Sequence, residues 1–261
     1  QGSVVASMTM LSRISGLARD VVLSYLFGAS QIADMFFVAF RIPNFFRRLF
    51  AEGAFNQAFV PVLMQYKAAG QAQLLSFIAS LSGLFATGLA LFVIAGVLFA
   101  PALTALFAPG FLDQPDVYRQ TSELVRITFP YLGLISLTAY AAALLNAHGY
   151  FALPAVTPVL LNICLMLAAM VAIFGWVDAQ PVVIVAWGVM VAGIVQLLVQ
   201  LPTLGRLGLL PRPNLNTKQE GVRQVGQLLL PAVFAASVAQ INALVNTILA
   251  STLVSGSIAW L

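Results

Sequence analysis

The chain has 261 residues, of which 61% are hydrophobic and only 8% are charged, and its mean hydropathy is +0.98. Soluble domains carry roughly 25% charged residues, and a core of this size has no room for so much apolar surface. The composition therefore predicts a polytopic membrane protein. The net charge of +4 comes from cations divided between loops and spans, with no basic patch among exposed aromatic residues, which argues against nucleic acid as a partner.

The pattern of apolar runs predicts an all-α fold, because the alternating ten-residue segments of a membrane barrel do not occur. Seven complete spans are predicted, at residues 4–27, 32–66, 74–107, 124–145, 155–174, 182–204 and 225–254, and residues 255–261 begin an eighth. The second run is about 50 Å long at ~1.5 Å per residue. Pro43 lies inside it and predicts a break or kink near residues 41–44.

The spans and polar segments divide the chain into three parts. A six-helix lobe occupies residues 1–204, a polar inter-lobe loop follows at 205–224, and a second lobe starts at 225–261. A shift of 227 residues lays polar positions of the first span on polar positions of the seventh, which is a weak sign of a repeat.

The loop charges predict the orientation of the chain in the membrane. With the N-terminus in the cytoplasm, Lys67, His148 and the cations of residues 205–224 all lie in cytoplasmic loops. The opposite loops then contain mostly aspartate. The positive-inside rule therefore predicts a cytoplasmic N-terminus.

Residues 11–59 are the most informative stretch, because they combine an apolar background with many charges. Five of the twelve Lys and Arg residues of the chain lie here, with three carboxylates: Arg13, Arg19, Arg41, Arg47, Arg48, Asp20, Asp34 and Glu52. Ionisable side chains inside a membrane cost several kcal/mol unless they face water or a partner, so we expect these to be functional.

The first span contains two of these arginines. At 3.6 residues per turn, Arg13 and Arg19 point about 120° apart and lie about 9 Å apart along the axis, so they share no narrow face unless Gly16 lets the helix bend. Arg13 is near the middle of the span, which favours a wet cavity. Arg19 is about eight residues from the turn at Gly28, and snorkelling to an interface fits it equally well.

The second span carries the other three arginines. Arg48 and Glu52 are four residues apart, a spacing that permits a salt bridge, and Arg41 shares their face. Arg47 points about 100° away. Because an apolar run continues beyond these arginines as far as Lys67, a wet inward face is favoured over a solvated helix end.

A cluster of arginines with few carboxylates indicates the chemistry of the ligand. Arginine recognises phosphate bidentately and stays charged when partly buried, so we expect an anionic, phosphorylated ligand. One cysteine (Cys164), one histidine (His148) and scattered carboxylates cannot form a closed set of metal ligands. No nucleophile motif or phosphate-cradling glycine loop occurs, so neither a cofactor nor an enzymatic activity is predicted.

Three segments resemble a known family: SMTMLSRISGLARD, ADMFFVAFRIPNFFRRLFAEGAFNQAFVPVL and ITFPYLGLISL. They are similar to the MurJ (MviN) family, the lipid II flippases of bacterial peptidoglycan synthesis, within the multidrug/oligosaccharidyl-lipid/polysaccharide exporter group. The resemblance implies a fourteen-helix protein of the bacterial inner membrane, with two six-helix lobes around a cationic cavity. The chain then corresponds to the N-terminal half, and the groove for the lipid tail belongs to the missing C-terminal half.

The resemblance also implies roles for individual residues. The pyrophosphate of lipid II is expected on Arg13, Arg19 and Arg47. The expected gate or cavity partners are Asp20, Asp34, Asn44 and Glu52, while Arg41 and Arg48 are left with secondary, helix-end or salt-bridge roles. A further family arginine is expected just beyond Leu261. Two alternatives remain within transport, a flippase for another lipid-linked oligosaccharide and a drug/cation antiporter. A third is a membrane enzyme or scaffold acting on a phospholipid.

Overall fold

The computed structural model describes residues 2–48, 55–253 and 257, and these residues are almost entirely helical. The helices are α1 (Gly2–Phe27), α2 (Gln31–Arg47), α3 (Phe55–Ala69), α4 (Gln71–Leu98), α5 (Ala100–Phe107), α6 (Pro115–Thr128), α7 (Tyr131–Ala147), α8 (Ala152–Ile173), α9 (Pro181–Arg206) and α10 (Glu220–Ser251). A short 3₁₀ helix, Pro109–Phe111, links α5 to α6. The described residues contain no strand, which confirms the all-α fold class.

Four segments of the described chain are long and apolar enough to cross a membrane: Gln71–Leu98, Pro115–Ala147, Ala152–Ile173 and Pro181–Arg206. A multi-pass membrane protein is thus supported, whereas the count of seven complete spans is not confirmed and stays a prediction. The arginines of α1 lower its hydropathy, and α2 and α3 have only 17 and 15 residues. The predicted eighth span falls on residues 255–261, which lie outside the described residues apart from Ser257.

Of the break or kink predicted near residues 41–44, the break does not occur there, because α2 continues through Pro43 to Arg47. Proline lacks the N–H that would bond to the carbonyl four residues earlier, here that of Ala39. The hydroxyl of Thr128 donates to this carbonyl instead, at 2.7 Å, from a position 89 residues away in sequence. A neighbouring helix thus satisfies the freed backbone group, which is how membrane helices tolerate proline. α2 ends at Arg47 and α3 begins at Phe55, and residues 49–54 lie outside the described residues.

Each of the predicted third and fourth spans consists of two helices. The first pair, α4 and α5, is divided at Phe99, just before Pro101, and the second pair, α6 and α7, at Phe129 and Pro130. The second break packs against α4 about one turn before the first, since a Cβ on Gly96 would lie 1.9 Å from the ring of Phe129. Only glycine allows α4 to approach this ring so closely.

Two apolar clusters hold the helices together. One is built largely from α2, α6, α7 and α9 around the fully buried side chains of Phe36, Phe129 and Tyr131. The other joins α3, α4 and α7 through stacked or tilted rings that include Phe59 and Phe77. Many large apolar side chains point outward as well, among them those of α4, α8 and α9, as expected of helices whose solvent is lipid.

Close contacts show which helix ends lie together. Lys67, near the end of α3, donates to the carbonyl of Ala147 at the end of α7. The N–H of Gly110 donates to the hydroxyl of Ser251 at the end of α10, at 3.2 Å. The irregular segment after α9 is also docked, because the N–H of Asn214 donates to the carbonyl of Ala79 in α4 at 2.9 Å.

Candidate functional site

A cavity of about 460 Å³, here called the polar cavity, opens between α1, α7, α8 and α9. Its cationic lining comes from Arg13 and Arg19 of α1 and from Arg47 at the end of α2. The rest of its polar lining is neutral and includes Asn56, Asn146, Thr138, Thr157, Asn162 and Gln196. Its volume lies within the ~300–1,000 Å³ that is usual for ligand sites.

A second cavity of about 540 Å³, here called the aromatic cavity, lies between α2 and α10. Its wall contains the rings of Phe37, Phe40, Phe45 and Phe107, together with Arg41 and Arg48. Arg19 and Arg47 line this cavity as well as the polar cavity. These two arginines therefore lie, together with Leu161, in the wall between the two cavities.

Arg19 is held by partners on two helices. Its Nε and Nη2 donate to Oδ1 of the adjacent Asp20, at 3.0 and 2.6 Å. Its Nη1 donates to Oδ1 of Asn162 in α8, at 3.0 Å. Of the two possibilities for Arg19, this contact with α8 favours the cavity over snorkelling outward to an interface.

Arg47 is held within its own helix. Its Nε donates to Oδ1 of Asn44 at 3.0 Å, and the amide of Asn44 donates in turn to the carbonyl of Phe40 at 2.8 Å. Asn44, one of the expected cavity partners, therefore contacts Arg47 directly. Because its acceptor oxygen is neutral, it orients the guanidinium without cancelling the positive charge.

The other expected partners are placed differently. Asp34 is 3% exposed and lies within electrostatic reach of Arg41, and it does not line either cavity. Arg41 also donates to the hydroxyl of Thr247 in α10, at 3.5 Å. Arg48 is exposed, and the predicted Arg48–Glu52 salt bridge falls partly outside the described residues, because Glu52 is not among them.

Arg13 is exposed on the polar cavity, and Gly16 lines the same cavity one turn later. The two arginines of α1 do reach one cavity although they point in different directions on the helix, because the cavity is broad enough to meet both. The structure thus brings Arg13, Arg19 and Arg47 together.

Sequence reasoning missed two buried carboxamides of the polar cavity, Asn162 and Gln196. Asn162 is 4% exposed and Gln196 is 1% exposed. The amide of Gln196 donates to the carbonyl of Thr157 at 2.7 Å, and the hydroxyl of Tyr131 donates to its oxygen at 3.4 Å. Both interrupt long apolar runs, so the reasoning that singled out the arginines would also have found them.

The chemistry that this arrangement offers is anion binding. Guanidinium groups and neutral amide and hydroxyl groups converge, and within the described residues no three His, Cys, Asp or Glu side chains lie close enough to hold a metal ion. Fold and site together define a multi-pass helical membrane protein with a cationic internal cavity.

Comparisons with known proteins identify the family. A family model described as "Lipid II flippase MurJ" matches residues 23–261, and the chain belongs to this family. It is 45% identical to a probable lipid II flippase MurJ of Vibrio cholerae, over all of this chain and 51% of that protein. It is 40% identical to the lipid II flippase MurJ of Burkholderia cenocepacia, over 98% of this chain and 50% of that protein.

A solved structure shows the same fold. It is described as "Lipid II flippase MurJ, inward closed conformation", matches with a TM-score of 0.82 at 26% identity, and covers 98% of this chain and 52% of its own. The chain thus spans about half the length of the relatives it matches, as the resemblance to an N-terminal half implied.

Proposed function

We propose that this chain is the N-terminal half of a flippase that carries lipid II from the cytoplasmic to the periplasmic face of the bacterial inner membrane. The observation that carries the proposal is the meeting of Arg13, Arg19 and Arg47 on one cavity whose other polar residues are neutral. Guanidinium groups bind phosphate oxygens in bidentate fashion. In this proposal they hold the pyrophosphate of the headgroup.

The transport cycle that we propose is alternating access. Residues 1–204 form one lobe, residues 205–224 connect the lobes, and residues 225–261 begin the second lobe, with seven complete spans and the start of an eighth. The second half of the protein supplies the opposite wall of the cavity and the groove for the lipid tail. Exchange between inward and outward states then follows from differential binding of the headgroup to the two states.

A cytoplasmic N-terminus is part of the proposal. The contact between Lys67 and Ala147 brings the ends of α3 and α7 to the same side. His148 follows α7 directly and Arg206 ends α9, so the cations collect where the positive-inside rule expects the cytoplasm.

The carboxylates act as exchangeable partners in this proposal. Asp20 occupies two donors of Arg19 through one oxygen, so a pyrophosphate has to compete with it. Asp34 lies within electrostatic reach of Arg41 and offsets part of its charge. We include Asn44 as the partner of Arg47 and Glu52 as a further gate residue.

Three single substitutions test the proposal in the full-length protein: Arg13→Ala, Arg19→Ala and Arg47→Ala. Each is expected to abolish lipid II transport, measured in cells that depend on the protein and in proteoliposomes, without loss of expression. Arg119→Ala is the matched control, because Arg119 is exposed, pairs only weakly with Asp116 at 3.9 Å, and lies on neither cavity. Full activity of all three cavity variants would contradict the assignment.

Of the alternatives, a flippase for another lipid-linked oligosaccharide shares the pyrophosphate chemistry, and competition by different lipid-linked sugars separates the two. A cation antiporter needs carboxylates available to a cation, whereas Asp20 and Asp34 both face arginines. An enzyme acting on a phospholipid would release phosphate from its substrate, and a phosphatase assay on the purified protein tests this third possibility.

A further inference from the structure

Asn162 is a buried carboxamide in the apolar helix α8, and no role is yet assigned to it. Burying an amide in an apolar environment costs free energy unless its hydrogen bonds are made. All of the bonds of Asn162 go to α1. Its Oδ1 accepts from Arg19 at 3.0 Å, and its Nδ2 donates to Oγ of Ser15 at 2.9 Å and to the carbonyl of Ser12 at 3.3 Å.

The surrounding hydrogen bonds determine which way the amide faces. The hydroxyl of Ser15 donates its one hydrogen to the carbonyl of Ser12, at 3.0 Å, so it can only accept from Asn162. The Nδ2 atom of Asn162 must therefore face Ser15. The oxygen is left facing Arg19, which has donors and no acceptor. Ser15 and Asn162 thus form a relay that ends on the guanidinium.

The relay matters because the other partner of Arg19 is an anion. Asp20, adjacent in sequence and 58% exposed at its side chain, takes Nε and Nη2. Of the five N–H donors of a guanidinium, Asp20 and Asn162 use three, which leaves two for a ligand in either cavity. Asn162 holds the Nη1 edge with a neutral oxygen, so it orients the group without reducing its charge.

We propose that Asn162 is a positioning residue, which holds the guanidinium of Arg19 in the wall between the polar and aromatic cavities so that its two remaining donors meet a phosphate group. The inference rests on the proposed function, because it takes the ligand to be a pyrophosphate. Without Asn162, Asp20 is the one partner left to Arg19 among the residues that the structure describes, and the orientation of Arg19 then follows that exposed carboxylate.

A double-mutant cycle tests the inference, because it measures whether one residue acts through another. Arg19→Ala, Asn162→Leu and the combined variant are made in the full-length protein, and binding of a C55 polyprenyl pyrophosphate is measured for each in detergent. Asn162→Leu is expected to weaken binding about tenfold alone and to have no further effect in the Arg19→Ala background. A Ser15→Ala variant, which removes the acceptor of the relay, is expected to weaken binding two- to threefold and likewise only while Arg19 is present.

The control is Thr121→Val, since the buried hydroxyl of Thr121 bonds only within its own helix, to the carbonyl of Val117 at 2.7 Å. It is expected to bind like the unmodified protein. Equal losses from Asn162→Leu with and without Arg19 would show a merely structural tie between α1 and α8 and overturn the inference. If Arg19→Ala weakens binding while Asn162→Leu does not, the inference fails and the proposed function stands. If Arg19→Ala alone has no effect, the inference fails, and if Arg13→Ala and Arg47→Ala have none either, the proposed function itself fails.

Discussion

The polar cavity and the aromatic cavity share Arg19, Arg47 and Leu161 but differ in their other lining residues. The polar cavity is surrounded by hydroxyl and carboxamide groups from α7, α8 and α9, whereas the aromatic cavity combines phenyl rings from α2 and α5 with polar groups of α10 such as Gln240 and Thr247. Hydroxyl and amide groups can exchange hydrogen bonds with a sugar or peptide, and phenyl rings cannot. The shared arginines therefore lie where a ligand with a charged centre can meet two different surfaces.

The arginines also differ in how they are neutralised. Asn44 and Asn162 each offer a neutral oxygen to one of the two shared arginines, and the carboxylate that pairs with Arg19, that of Asp20, is 58% exposed, whereas Arg41 faces the buried carboxylate of Asp34. A charge that already has a buried counter-ion offers less attraction to a ligand. The comparison therefore predicts that affinity for a phosphate depends more on Arg19 and Arg47, which line both cavities, than on the arginines that line only the aromatic cavity.

The largest effect is expected for Arg47→Ala, which removes one cation from both cavities at once. Charge-assisted hydrogen bonds contribute about 1.5–3 kcal/mol each, so the dissociation constant for polyprenyl pyrophosphate should rise roughly a hundredfold. Binding to purified full-length protein measures this. A loss no greater than that of Arg48→Ala would remove the distinction between shared and unshared arginines.

A smaller effect, on stability, is expected for Thr128→Val. This change leaves the Ala39 carbonyl without the donor that replaces the missing N–H of Pro43, and an unsatisfied buried acceptor costs about 1–3 kcal/mol. The free energy of unfolding, followed by denaturant titration in detergent, should fall by about that amount. Thr121→Val is the control, because its hydroxyl bonds to its own helix. Equal stability of the two variants would mean that α2 does not need this support.

Arg13→Lys sharpens the comparison within the polar cavity. The substitution keeps the positive charge but removes the planar fork that grips two phosphate oxygens, so affinity for the pyrophosphate lipid should fall about tenfold, or ~1.4 kcal/mol. Binding of a polyprenyl monophosphate, measured in parallel, should change less. An unchanged preference between the two lipids would indicate that Arg13 acts as a point charge only.

The smallest effect is expected for Arg48→Ala. Arg48 is exposed and lines only the aromatic cavity, so binding of the pyrophosphate lipid should stay within about threefold of the unmodified protein, since charges in contact with water contribute little. The same binding assay applies. A loss as large as that of Arg47→Ala would place the phosphate in the aromatic cavity.

The sequence predicts the fold class and the stretch that contains the site, but not how the site residues are arranged. Apolar runs indicate the helices, and charges inside them indicate where function lies, so residues 11–59 stand out without a structure. The angle between Arg13 and Arg19 on one helix nevertheless argued against a shared face. A cavity wall is made by several helices, and its breadth is not encoded in the spacing of residues along any one of them.

Two further features show the same limit. Pro43 predicts a break or kink from local geometry alone. The hydroxyl that satisfies the freed carbonyl belongs to Thr128, 89 residues away from Ala39. Asn162 follows from the principle applied to the arginines, but its partner Arg19 lies 143 residues away. Such pairings depend on which helices pack together, and hydropathy does not reveal that.

The two ends of α10 have a consequence for dividing the protein into pieces. Near the start of α10, a Cβ on Gly221 would lie 2.5 Å from the ring of Tyr66 in α3. At its other end, the carbonyl of Ser251 lies so close to the 3₁₀ helix that a Cβ on Gly110 would be 1.9 Å from it. By sequence α10 opens the second lobe, yet glycine-mediated contacts join both of its ends to the first. A split protein cut after residue 206 therefore separates α10 from its neighbours, whereas a cut after residue 253 keeps them in one polypeptide.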